Sequence, residues 1–134
     1  MKRATRITRE ESLDQFGYPR PQFVRDQWAC LNGLLDFAID ADARWRVPDE
    51  VKWDLRIQVP FTPETKASGI GDTGFYRAVW YRRTFMPPPL PERGRLILHC
   101  GAVDTSAIVW VNGSVAVRHR GGYTPFQADI TDLL

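Results

Sequence analysis

CGAVDTSAIVWVNGSVAVRHRGGYTPF, residues 100–126, is the stretch whose reading decides the fold. Asn112-Gly113 lies between two apolar runs, and both residue types accept the positive φ that a two-residue hairpin turn requires. Such a turn predicts the register: Val111 faces Ser114, Trp110 faces Val115, Val109 faces Ala116, and Ile108 faces Val117. Ile108, Trp110, Val115 and Val117 then share an apolar face, which is the expected core side. The opposite face carries Ala107, Val109, Val111 and Ala116, also apolar. A hairpin apolar on both faces is expected to be covered on both, as in a sandwich that also meets neighbouring structure.

Strand signals continue on either side. Leu96, Leu98 and Cys100 alternate before the hairpin, and Phe126 to Ile130 begins a strand after it. Phe75 to Phe85 reads as a long strand, with Val79, Tyr81 and Phe85 on one side and Trp80, Arg82 and Thr84 on the other. The prolines at 87–89 end it. Arg56 to Val59 is a short strand stopped by Pro60. Asn32-Gly33 is a second hairpin signal, flanked by Trp28–Leu31 and Leu34–Ile39, so antiparallel architecture is expected. Residues 40–55 read as loop with one helical turn. Residues 61–74, rich in Pro, Thr, Ser and Gly, read as a loop of a length that is usually functional or disordered. Tyr18-Pro19-Arg20-Pro21 is expected to be extended. Residues 1–17 are polar and read as an N-terminal arm, with one β domain over 18–134.

Composition narrows the function classes. The chain has 134 residues, enough for one domain with a sizeable core. Its 18 basic residues are interspersed with 16 acidic ones for a net charge of +2, which argues against a nucleic-acid partner. Two cysteines, Cys30 and Cys100, supply neither a disulfide framework nor metal-ligand spacing, and no cofactor motif is present. No secretory h-region and no membrane span is visible, so a cytoplasmic location is expected, with no membrane partner.

Catalytic constellations are scarce. His99 and Cys100 are neighbours on a strand and therefore point to opposite faces, which excludes a thiol–imidazole dyad. His119, at the hairpin's end beside the loop, reads most simply as a surface residue within reach of ligands. The acidic pairs Glu10/Glu11, Asp40/Asp42 and Asp49/Glu50 lie on the arm or on loops without the apolar enclosure that raises a carboxyl pKa. Asp104 is expected to bond turn backbone. Aromatic side chains are the remaining resource. Trp80 and Trp110 read as core, whereas Tyr123 follows Gly121-Gly122 on a loop that is open to a ligand.

Eight short segments carry a family resemblance: Tyr18-Pro19-Arg20-Pro21-Gln22, Leu31-Asn32-Gly33, Val59-Pro60-Phe61, Ser68-Gly69-Ile70, Val79-Trp80-Tyr81-Arg82-Arg83, Gly101-Ala102-Val103-Asp104, Val109-Trp110-Val111-Asn112-Gly113 and Gly121-Gly122-Tyr123-Thr124-Pro125-Phe126. In this order they resemble the N-terminal sugar-binding domain of glycoside hydrolase family 2, the β-galactosidases, β-glucuronidases and β-mannosidases. The resemblance does not select the sugar. It implies an all-β, antiparallel jelly-roll sandwich, here stopping short of its closing strands. An immunoglobulin-like domain and a (β/α)8 barrel with two catalytic glutamates would lie beyond Leu134. The implied partners are the rest of the glycosidase chain and carbohydrate, and the chain alone is expected to be inactive.

In the large β-galactosidases of this family, an Asn from the loop before the Gly-aromatic-Tyr strand and an Asp from the loop after the hairpin touch the sugar. The corresponding loops here offer Gly71 and Asp72, and Arg120, Gly121 and Gly122. Asp72, Arg120 and Tyr123 are the best-placed substitutes for substrate contact. Two alternatives stand beside this reading. One is a free-standing carbohydrate-binding module using Trp45, Trp53 and Tyr123 as stacking platforms; the other is a protein interaction domain using the doubly apolar hairpin.

Overall fold

A computed structural model describes residues 27–134. The arm at 1–17, the Tyr18–Gln22 motif and the Glu10/Glu11 pair lie outside the described residues. The described chain is antiparallel β throughout, and its helical structure is confined to 3-10 turns at Pro48–Glu50, Lys66–Ser68 and Thr131–Leu133. The described residues divide into two compact units, one built from residues 27–46 together with 50–86, the other from 47–49 with 87–134.

The first unit is a three-stranded sheet in which β1 (Gly33–Asp40) lies between β2 (Leu55–Val59) and β3 (Ala78–Arg82). Leu35 faces Ile57, Ile39 faces Val79, and Phe37 is flanked by Leu55 and Tyr81. Opposed residues share a face, so these side chains make one apolar layer. Phe37 and Ile57 are fully buried in it, and the Phe37 and Tyr81 rings lie 5.0 Å apart. The other face is polar at one end. Asp36 stands between Arg56 and Arg82, accepting two hydrogen bonds from the Arg82 guanidinium at 3.0 and 2.8 Å. Arg56 lies 3.6 Å from the other carboxylate oxygen.

Two expectations fail in this unit. Asn32-Gly33 does not close a hairpin, because Gly33 opens β1, and β1 takes its partners from β2 and β3 rather than from Trp28–Leu31. A long-range partner on each side outcompeted the local turn. The strand expected over 75–85 pairs only from Ala78 to Arg82, and Phe75 is 98% exposed.

The second unit contains two antiparallel strand pairs, one of them a hairpin. β4 (Ile97–Cys100) pairs with β7 (Phe126–Asp129), placing Leu98 opposite the buried Ala128 and Cys100 opposite Phe126. His99 faces Gln127 on the other side and is exposed, so His99 and Cys100 diverge as expected. Burial also pushes the Cys100 thiol up, away from thiolate chemistry. Ile130, just after β7, is 1% exposed, and its amide donates to the Leu96 carbonyl at 2.9 Å.

β5 (Ser106–Val111) and β6 (Ser114–Arg120) form the expected Asn-Gly hairpin, with φ of +49° at Asn112 and +82° at Gly113. Val111 faces Ser114 and Trp110 faces Val115, as the turn dictates. Beyond them the register slips: Val109 faces Val117 and Ile108 faces Arg118. Ala116 is the extra residue of a β-bulge. The slip overturns the expected core face. Ala107 and Val109, with Val117 and His119 opposite, form the more buried side, whereas Ile108 is 40% and Val115 44% exposed beside Arg118 and Arg120. With Ala116 bulged out, Val117 turns inward and Arg118 points to solvent.

Candidate functional site

Two loops carry the residues singled out for substrate contact. In the first unit the segment after β2 is tied down by its own hydroxyls. Thr65 Oγ1 donates to the Thr62 carbonyl at 2.9 Å and accepts from the Ser68 amide at 3.3 Å. The buried Ser68 Oγ donates to the Thr65 carbonyl at 2.7 Å and accepts from the Ile70 amide at 3.1 Å. Gly69 takes φ +83°, the left-handed geometry that ends the 3-10 turn. The loop is thus closed by short-range polar contacts rather than by a core.

Asp72 follows directly. The Tyr76 hydroxyl and the Gly74 amide, the latter at 2.8 Å, hold its carboxyl below the usual carboxylate range. That is an Asx turn, in which one carboxylate oxygen accepts the Gly74 amide. The residue it presents is Phe75. Sequence reasoning missed Phe75 because the aromatic alternation placed it within a strand; its flanking Gly74 was the available signal that the strand starts later.

In the second unit, Arg120 ends β6 and Tyr123 stands three residues further along the same loop, 99% exposed. Arg118 and Arg120 are exposed and form no ion pair among the described residues. The other strand arginines differ, since Arg56 and Arg82 share Asp36. Asp104, expected to bond turn backbone, instead accepts from the Thr105 hydroxyl with its carboxylate, and a Cβ placed on Gly122 would run into that carboxylate. The structure therefore joins Arg120 and Tyr123 on one loop and places Asp72 on a separate loop of the other unit.

The remaining candidates resolve into structural roles. Asp40 is 5% exposed and accepts the Arg44 and Trp45 amides at 2.8 and 3.0 Å. Burial raises its carboxyl pKa, but those two amides, the Trp80 indole and the Arg44 charge outweigh it and hold the carboxyl below 3.8. Asp42 pairs with Arg44 at 2.7 Å, and Glu50 accepts the Arg46 amide at 2.6 Å. Trp45 is half-buried, and Trp53, also half-buried, carries the Arg82 guanidinium 4.4 Å above its ring, which covers one face of it. Of the three proposed stacking platforms, Tyr123 alone is fully open. Among the described residues no group of three or more His, Cys, Asp or Glu is arranged to hold a metal ion. No helix of the described residues is long and apolar enough to cross a membrane.

These features define the class: an all-β domain, antiparallel throughout, whose freely exposed aromatic rings are carried on hydrogen-bonded loops. No family model matches the chain. Individual relatives do. A β-glucuronidase of Chlorocebus aethiops is 35% identical over 133 aligned residues, which cover 87% of this chain and 20% of that protein. One from Paenibacillus borealis is 35% identical over 108 residues, covering 75% of this chain and 18% of the relative. Among solved structures, the β-glucuronidase of an uncultured Clostridium species superimposes with a TM-score of 0.58 at 30% identity, covering 78% of this chain and 19% of that one. That of Faecalibacterium prausnitzii gives 0.54 at 32% identity. Over the stretch it covers, the chain is homologous to the N-terminal region of the β-glucuronidases of glycoside hydrolase family 2. It spans about one fifth of the length of those relatives.

Proposed function

We propose that the chain is a non-catalytic β domain of a family 2 β-glycosidase, supporting and rimming a (β/α)8 barrel that carries the reaction. The observation that carries this reading is the β-glucuronidase likeness over most of the chain, which occupies only a fifth of each relative. In this reading residues 18–134 make one jelly-roll sandwich, and 1–17 an arm. Hydrolysis would proceed in the barrel with retention: one glutamate attacks the anomeric carbon and a second protonates the leaving oxygen, at a separation of about 5 to 5.5 Å. This chain's part is to line the approach. Asp72, Arg120 and Tyr123 are its proposed sugar-rim residues. Tyr123 offers a ring face for sugar C–H groups, Arg120 a free guanidinium, and Asp72 works through the loop shape that its carboxylate maintains.

The test is to express the complete product of the gene encoding this chain and, separately, residues 1–134. Both are assayed with the 4-nitrophenyl β-D-glucuronide, β-D-galactoside and β-D-mannoside. Hydrolysis of at least one glycoside by the complete product and of none by residues 1–134 is expected. Activity of residues 1–134, or of neither protein, overturns the proposal. A free-standing carbohydrate-binding module is a second reading, favoured by the open Tyr123 ring. It requires saturable binding of simple sugars to the chain alone.

A further inference from the structure

Tyr123 is 99% exposed and adds nothing to the fold by burial, yet the residues around it are restrained at almost every step. The His119 imidazole, on the more buried face of β6, sets Nε2 3.2 Å from the Gly121 carbonyl oxygen and 3.0 Å from Thr124 Oγ1. The same ring stacks on Phe126, with centroids 4.3 Å apart and 18° between planes. The Gly121 amide donates to the Thr105 carbonyl at 2.8 Å. Gly121 itself takes φ +133°, and a Cβ there would stand 2.9 Å from Thr124 Oγ1. Pro125 fixes its own φ and restricts Thr124 before it. His119 is the side chain that touches the loop at its start, at Thr124 and at its return into β7.

Ordering a loop costs conformational entropy, and an exposed ring returns none of that cost in the free protein. A ligand recovers it, because a ring already in place is not immobilised on binding. We infer that His119 is the positioning residue of the proposed rim: it locks Gly121–Thr124 in the shape that holds the Tyr123 ring out towards the sugar. This rests on the rim reading above. His119 touches no substrate and acts through Tyr123.

The test is made in the complete gene product, with whichever of the three 4-nitrophenyl glycosides it hydrolyses. Tyr123→Ala is expected to raise KM about five- to tenfold with kcat within about twofold, and His119→Ala to do the same. Because one residue acts through the other, the double variant should be no worse than Tyr123→Ala alone. His119→Gln, which keeps a donor near the Nε2 position, should return KM to within about twofold of the parent. Hydrogen exchange over residues 120–126 should accelerate in His119→Ala and recover in His119→Gln. Additive KM effects, or unchanged exchange in His119→Ala, overturn the inference. A silent Tyr123→Ala overturns the rim reading itself, which distinguishes the two failures. Where no glycoside is hydrolysed, the exchange arm still decides whether His119 holds the loop.

Discussion

Asp40 shows how a single carboxylate organises the end of a strand. As β1 finishes, the chain turns back, and without Asp40 the Arg44 and Trp45 amides would lose their acceptor. Asp40 accepts both. Asp40→Ala removes the acceptor from two amides, and a loss of about 1–3 kcal/mol in unfolding free energy is expected by urea titration. Asp36, more exposed and bonded chiefly to another side chain, makes a useful contrast: Asp36→Asn should cost no more than about 1 kcal/mol. Sequence alone presented Asp40 and Asp42 as an acidic pair. Nothing in their spacing revealed that one turns inward onto backbone while the other pairs with Arg44 in solvent, because that depends on where β1 stops.

At the scale of elements, the apolar layer of β2–β1–β3 carries the first unit. Phe37 is its centre, covered by Leu55 and Tyr81 across the strands, and Phe37→Ala is expected to cost about 3–5 kcal/mol by denaturant midpoint. Hairpin β5–β6 offers a direct check of the inverted face. Ile108→Lys, on the exposed side, should change stability by about 0.5 kcal/mol or less. Val109→Lys, directed to the more buried side, should cost at least about 2 kcal/mol, because an ammonium group there has no partner. Equal losses at both positions would contradict the face assignment. The turn at Asn112-Gly113 was legible because two residues suffice to specify it. The bulge at Ala116 was not, since Ala116 and its neighbours are all compatible with a regular strand, and the slip that sets Val117 opposite Val109 and leaves Arg118 exposed is decided by packing outside the hairpin's own sequence.

For the whole molecule, acid sensitivity follows from the carboxylates. Asp40, Asp72 and Asp129 all have folded-state pKa values below the ordinary 3.8. Asp129 owes its shift to the Thr131 hydroxyl and amide and to Arg95. Depressed values mean that the unfolded chain binds protons more readily than the folded one. The stability these groups contribute is therefore complete above about pH 5 and is lost as pH falls through the folded values. Melting temperature should be flat from about pH 5 to 7 and drop below about pH 4. An unchanged melting temperature at low pH would show that these hydrogen bonds do not hold the carboxylates in solution.

Local chemistry was enough to reveal the antiparallel β class, the Asn112-Gly113 turn, the divergence of His99 and Cys100, and the family resemblance, since each rests on adjacent residues or on alternation along one strand. The partners of β1, the buried face of β5–β6, the inward turn of Asp40 and the exposure of Phe75 depended on contacts between distant segments. Several pairings satisfy the local pattern equally well. In the first unit, burial of Phe37 and Ile57 against particular neighbours selects one of them; in the second, the bulge at Ala116 does so by setting which residues of β6 face Ala107 and Val109.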